Sequence, residues 1–292
     1  MIYDVRHVTT YGYSRPVPFA RCILRLLPHD GDGQTVQSSE LSVTPRPDER
    51  GEDLSFFGNR MTTLTISKPH RELKIELRAR VDVRRPAAPF PGLTRNWEEV
   101  AALALSSASL APDSPAHQLY ASRLVPLVPD VTAYARRSFS PLRPVLEAAA
   151  ELMARIRADF TYDPEATEVS TPLAEAFAER HGVCQDFAHI MIAGLRGLGL
   201  PAGYVSGYIR TIPPPGQKRL EGSDASHAWV MLWCGPETGW IGLDPTNDLI
   251  VADDHVVTAF GRDYADVSPL DGVLIGPGSQ KIGIAVDVIP IG

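Results

Sequence analysis

The stretch His181-Gly182-Val183-Cys184-Gln185-Asp186-Phe187-Ala188-His189-Ile190-Met191-Ile192-Ala193-Gly194-Leu195-Arg196 sets a glycine two residues before a cysteine and an apolar, helically spaced run after it. The pattern predicts a helix whose N-terminus falls at or near Cys184. Unpaired N–H groups and the positive end of the helix dipole stabilise a thiolate at such a place. They lower a thiol pKa from about 8.5 toward roughly 3.5–7.5. A buried structural cysteine is the commoner fate of a lone thiol, so the stretch does not decide the chemistry by itself.

Working outward, Ser226-His227-Ala228-Trp229-Val230-Met231-Leu232-Trp233 reads as a strand. It places His227, Trp229, Met231 and Trp233 on one face and Ala228, Val230 and Leu232 on the other. Alone, His227 reads as a hydrogen-bonded histidine at a strand start. In Trp240-Ile241-Gly242-Leu243-Asp244-Pro245-Thr246-Asn247, Pro245 cannot donate to a sheet ladder, so the strand should end at Asp244. That carboxylate either orients a neighbouring histidine or caps Thr246 and Asn247 in an Asx-turn. A two-residue hairpin loop at Pro236-Glu237 pairs 235 with 238 and Asp244 with Trp229, which makes His227 the same-face diagonal neighbour of Asp244. A slip of one residue puts the two on opposite faces. Together the three residues supply a nucleophile, a base and an orienter of that base. The backbone N–H of Cys184 then provides half of an oxyanion hole.

These motifs, with Gly199-Leu200-Pro201-Ala202, Val205-Ser206-Gly207-Tyr208 and Gly261-Arg262-Asp263-Tyr264-Ala265-Asp266-Val267-Ser268-Pro269-Leu270, resemble the transglutaminase-like superfamily. The similarity is greatest to its bacterial branch with an N-terminal β domain, whose members are named transglutaminase-like proteins or cysteine proteases. Residues 1 to about 80 resemble that N-terminal domain, and residues 93 to 140 carry the weakest match. The resemblance implies an α+β, papain-like core in which a cysteine helix packs on an antiparallel sheet, with Cys184 as nucleophile, His227 as base and Asp244 as orienter. It implies attack on an amide carbonyl and a thioester intermediate, which passes to water or an amine. Peptide or isopeptide hydrolysis is the first expectation and deamidation or transglutamination the second. A non-catalytic binding scaffold is the alternative of another class.

In relatives a second oxyanion donor is often an upstream aromatic. Tyr162, shortly before the cysteine helix, is the candidate, with a packing tyrosine as the alternative. Gln185 and Trp229 are substrate-cleft candidates; Trp229, Trp233 and Trp240 read equally as core. No cofactor is expected, since no loop has the calcium spacing of an EF-hand. A metal cluster of His181, Cys184, Asp186 and His189 is disfavoured, because Cys184 and His189 stand about 140° apart on one helix.

Composition bounds the rest. The chain has 292 residues, enough for about two domains, and 44% hydrophobic with 22% charged residues describe a globular protein. Twenty-eight Lys plus Arg against thirty-five Asp plus Glu give a net charge of −7, unlike a phosphate-tracking nucleic-acid surface. Three cysteines at long spacing form no CxxC pair, which points to a reducing, cytoplasmic setting. No apolar run approaches membrane length, and the first residues lack the pattern of a signal peptide. The expected partner is a peptide or protein substrate, neither nucleic acid nor membrane.

Residues 1–90 read as a β-rich domain of about five strands. They cover Tyr3 to Thr9, Ala20 to Leu27, Glu40 to Pro45, Met61 to Ser67 and Leu73 to Val83. Residues 91–140 read as a helical linker region after the proline-rich break at 85–92. Residues 141–292 read as the catalytic domain, including its C-terminal strands. Within these segments, helices are predicted from Trp97 to Leu110 and from Val145 to Phe160. A third helix begins at an N-cap Thr171 followed by Pro172.

Overall fold

A computed structural model describes residues 1–211, 225–276 and 278–291. The proline-stiff, basic loop expected at 213–219 lies outside the described residues. Alternation builds the first half of the chain: strands β1 (Ile2–Val17), β2 (Phe19–Leu24), β3 (Gln34–Thr44), β4 (Glu49–Leu54), β5 (Arg60–Ile66) and β6 (His70–Val83). In β1 every second residue from Tyr3 to Tyr13 is buried. β4 was not expected: every one of its residues is exposed, so no apolar period announces it.

The chain continues through α1 (Trp97–Leu105), α2 (Pro129–Arg136), α3 (Val145–Asp159), β7 (Thr161–Tyr162), α4 (Leu173–Glu179), β8 (His181–Gly182) and α5 (Cys184–Gly197). It then forms β9 (Ala202–Ile209), β10 (Ala225–Trp233), β11 (Trp240–Asp244), β12 (Leu249–Ile250), β13 (His255–Gly261), α6 (Tyr264–Val267), β14 (Leu270–Ile275) and β15 (Gln280–Pro290). Thr171 does not cap α4. Pro172 takes the N-cap position, and the Thr171 hydroxyl accepts the Glu168 N–H at 2.9 Å.

Helix α5 is buried from Gln185 through Arg196, as a helix that is apolar on most of its circumference must be. It lies against β9 and β10, and its glycines let α2 approach: a Cβ on Gly194 would stand 2.8 Å from that of Ala135. Trp97 and Val100 of α1, Val131 and Tyr134 of α2, and Phe139 share one core with α3 and α5. The 91–140 region therefore packs into the same core as α3 and α5 and is not a free linker.

The sheet beneath α5 runs β12-β11-β10-β9-β13, all antiparallel. Two four-stranded sheets, β15-β1-β6-β3 and β14-β2-β5-β4, enclose a second core. Here the expected boundary at 141–292 needs correction. β15 pairs with β1 (Val5 opposite Val288) and β14 with β2 (Cys22 opposite Gly272), so these strands complete the β unit and not the five-stranded sheet. Without them β1 and β2 would be open edges, and Val286 and Val288 fill the sandwich core.

The two units are joined by buried polar contacts. The Gln34 carboxamide donates to Val257 O (2.9 Å) and accepts from Val257 N (2.8 Å). Asn59 does the same to Phe260, at 2.7 Å each way. Two side-chain amides thus pair with β13 along its outer edge, where a further strand would otherwise hydrogen-bond. Tyr208 of β9 and Val256 of β13 enter the sandwich core, and the Tyr208 hydroxyl meets His7 Nδ1 at 3.0 Å.

Candidate active site

Cys184 is the first residue of α5 and is partly exposed, whereas Cys22 and Cys234 are buried; all three thiols are free. Burial pushes the Cys22 thiol up to about 11 and the Cys234 thiol up to about 12. The helix start is fixed by Asp186, whose Oδ2 accepts the Val183 N–H (2.9 Å) and the Thr167 hydroxyl (2.7 Å). Gly182 makes room for this carboxylate, since a Cβ there would lie 2.6 Å from Asp186 Oδ2. The N–H groups of the first turn, that of Cys184 among them, have no acceptor within the helix ladder.

His227 Nε2 stands 2.8 Å from Asp244 Oδ2, and the Cys184 thiol is close enough to the imidazole to help raise its pKa. With Nε2 committed to the carboxylate, Nδ1 is the nitrogen left for the thiol. The register expected from the hairpin is present: Val230 pairs with Leu243 and Trp233 with Trp240, which sets Asp244 level with Trp229. The turn itself is longer than two residues, closed by Cys234 N–H to Gly239 O at 2.8 Å.

Asp244 is fully buried. Its Oδ1 accepts the backbone N–H groups of Thr246 (3.0 Å) and Asn247 (3.2 Å). Its Oδ2 faces His227, His255 Nε2 (3.2 Å) and Asn247 Nδ2 (2.7 Å). The Asx-turn and the orientation of His227 are thus not alternatives; each oxygen serves one. Burial opposes ionisation of Asp244, but the His227 and His255 bonds overcome it and hold the carboxyl below the usual range. Burial likewise opposes protonation of His227, yet Asp244 and Cys184 push it up to about 9.

The remaining candidates fall variously. β7 pairs with β8, Tyr162 opposite Gly182, so Tyr162 stands beside the start of α5. Its phenol is half-exposed and is pushed upward by burial and by neighbouring Cys184, which leaves it a protonated O–H donor. Gln185 is buried and its amide donates to Val169 O at 3.3 Å. Trp229 is 1% exposed; its ring covers Gly207 and meets His255 edge-on at 5.1 Å. It also lines a hollow of about 640 Å³ with Met231, Trp240, Phe260 and Arg85, and Cys184 is not among the residues of that hollow.

His189 and His181 do not join Cys184. His189 is buried, its Nε2 accepts the Tyr264 N–H at 3.2 Å, and burial lowers it to about 4; His181 is exposed. The residues that the sequence did not disclose are His255 and the side chain of Asn247. His255 heads an apolar run, the only signal it offers, and nothing in its spacing shows that the chain folds back over the sheet. His227, Asp244 and His255 bring two imidazole nitrogens and a carboxylate oxygen within 4.8 Å of one another, close enough for a cation. Three N–H donors already converge on Oδ2, however, which is the pattern of a hydrogen-bonded carboxylate.

Comparison with known proteins agrees with this geometry. The profile of the bacterial transglutaminase-like N-terminal region matches residues 3–82, and that of the transglutaminase-like superfamily matches residues 132–245. An uncharacterised protein of Mycobacterium tuberculosis is 39% identical over 99% of this chain and 92% of its own length. A protein-glutamine gamma-glutamyltransferase of Pseudomonas aeruginosa is 35% identical over 103 residues, 32% of this chain and 15% of that protein. The crystal structure of a provisionally named cysteine protease from Cytophaga hutchinsonii superposes with a TM-score of 0.74 at 22% identity, covering 100% of this chain and 92% of that one. On its two matched regions, and on a relative that it matches almost end to end, the chain belongs to the transglutaminase-like superfamily.

Proposed function

We propose that the protein is a thiol-dependent acyl-transfer enzyme acting on amide bonds of a peptide or protein, with water as the acceptor. The observation that carries this reading is the buried His227–Asp244 hydrogen bond beside the partly exposed Cys184 thiol at the start of α5, a thiol near enough to His227 to act on its pKa. His227 takes the proton of Cys184, and the thiolate attacks the carbonyl carbon to form a C–S bond. The oxyanion faces the Cys184 N–H, with the Tyr162 hydroxyl as second donor. Collapse expels the amine, which receives its proton from His227, and leaves a thioester. Water then gives a proton to His227 and attacks the thioester, and release of the acid returns the thiolate.

Transfer of the acyl group to an amine, or deamidation of glutamine, is the second reading. The local identity to the Pseudomonas gamma-glutamyltransferase favours it. The three free thiols support a reducing, cytoplasmic setting for either reaction. The test is a glutamine-containing peptide library incubated with the protein in the presence and absence of a primary amine and read by mass spectrometry. New termini indicate hydrolysis, and amine-modified glutamine outrunning them indicates transfer. Cys184→Ala should lose either product while remaining folded. A Cys184→Ala protein that still turns over refutes the mechanism.

A further inference from the structure

We propose that His255 is a positioning residue for the active site: it fixes Asp244 through its Nε2–H, and the N-terminal β unit fixes His255 in turn. The inference rests on the catalytic reading above. His255 is 2% exposed, with Nε2 3.2 Å from Asp244 Oδ2 and its ring 6.1 Å from that of His227. Its Nδ1 is buried with no hydrogen-bond partner among the described residues. A phenyl ring would fill the same space against Trp229 without an orphaned nitrogen, so what the imidazole adds is the bond to Asp244.

The sheet ladder does not set the distance between these two residues. β13, which carries His255, and β11, which carries Asp244, are separated by β10 and β9. The chain around His255 pairs with β9, His255 opposite Ile209, and is held in addition from the other unit. The Arg85 guanidinium donates to His255 O (2.7 Å) and Ala252 O (2.8 Å), and the Arg85 N–H donates to Asp253 Oδ1 (2.9 Å). Gln34 and Asn59 then hold Val257 and Phe260. The β unit thereby sets where a buried N–H donor meets the catalytic carboxylate. The titratable and charged groups around this arrangement are Asp244 and His227 on the ring, Arg85 and Asp253 along its backbone, and Cys184 with Tyr162 beyond His227.

Removing the donor leaves the negative charge of Asp244 less compensated, so each proton loss in the Cys184–His227–Asp244 cluster becomes harder. The acid limb of Cys184 reactivity should move to higher pH by about one unit, a tenfold loss of thiolate at a given pH on that limb. The experiment is site-mapped iodoacetamide alkylation of Cys184 across pH in the parent, His255→Phe, His255→Gln and His227→Ala proteins, with circular dichroism to confirm folding. His255→Phe should show the upward shift, and His255→Gln, whose amide nitrogen can stand where Nε2 does, should recover most of the parental profile. If His255→Phe does not accumulate folded, His255→Asn, whose amide falls short of Asp244, replaces it.

A donor-less variant that superimposes on the parent while His227→Ala shifts overturns the role of His255 alone. So does a His255→Gln protein shifted as far as His255→Phe, which assigns the effect to packing. If His227→Ala also leaves the profile unchanged, the catalytic reading itself falls.

Discussion

Asp244→Asn preserves the shape of the buried side chain and changes one atom from acceptor to donor. The amide oxygen can keep the Thr246 and Asn247 backbone bonds made by Oδ1. The amide nitrogen then faces three N–H groups, from His227, His255 and the Asn247 side chain. His227 relieves its share only by moving its proton to Nδ1, the nitrogen that must receive the proton of Cys184. In Ser-His-Asp triads the same inversion of tautomer costs about 10⁴-fold in kcat, and a loss of that order is expected here.

A second readout follows from the folded His227 pKa, raised from 6.5 to about 9. Such a shift contributes roughly 3 kcal/mol of stability. The contribution is fully present below pH 6.5 and is lost as pH rises through 9. The depressed Asp244 describes the same pair from the other side, present above the ordinary carboxylate pKa and lost as pH falls through the folded one, and is not added again. Urea unfolding of the parent followed across pH should therefore show stability declining between 6.5 and 9. In Asp244→Asn the slope should flatten to the share that the Cys184 contact supplies. Parental turnover in the variant, or an unchanged slope in that window, would refute the reasoning.

Gln34→Ala leaves the Val257 N–H and His29 O without these partners, while Val257 O keeps the His29 N–H at 3.0 Å. It should lower stability in urea by about 2–4 kcal/mol, since buried backbone groups left unpaired cost about 1–3 kcal/mol each and solvent entry recovers part. A loss below about 0.5 kcal/mol would show that the clamp is not intact in solution. Gly182→Ala drives a Cβ into Asp186 and should break the bond that opens α5. Cys184 alkylation near neutral pH should slow several-fold while Cys22 and Cys234 stay unmodified, and peptide mapping of the alkylated protein measures both.

Local chemistry made the centre of the site legible. Pro245 ends β11 at Asp244, alternation puts His227 and Trp229 on one face, and the hairpin register then brings His227 to Asp244 whatever the detail of the turn. Side chains recruited from far along the chain were not legible. His255 reaches Asp244 only because residues 251–254 carry the chain from β12, at one edge of the sheet, to β13 at the other. No local period encodes that crossing. The destination of β15 was hidden for the same reason: Val286 and Val288 read as one face of a strand, but alternation says nothing about which sheet receives it. Trp229 was ambiguous because an aromatic beside a catalytic histidine has the same sequence signature whether it lines a cleft or fills a core.

The pairing of β1 with β15 has a consequence for synthesis. Strand β1 receives its second neighbour from residues 280–290, far later in the chain. At about 5–20 residues per second, the ribosome needs on the order of ten to fifty seconds to reach it. For that interval β6 can cover one side of β1, while the other side offers unsatisfied N–H and C=O groups to any strand nearby. Asp4, Arg6 and Thr10 on its polar face make a poor template for stacking another sheet. Those polar side chains weigh against aggregation until β15 arrives.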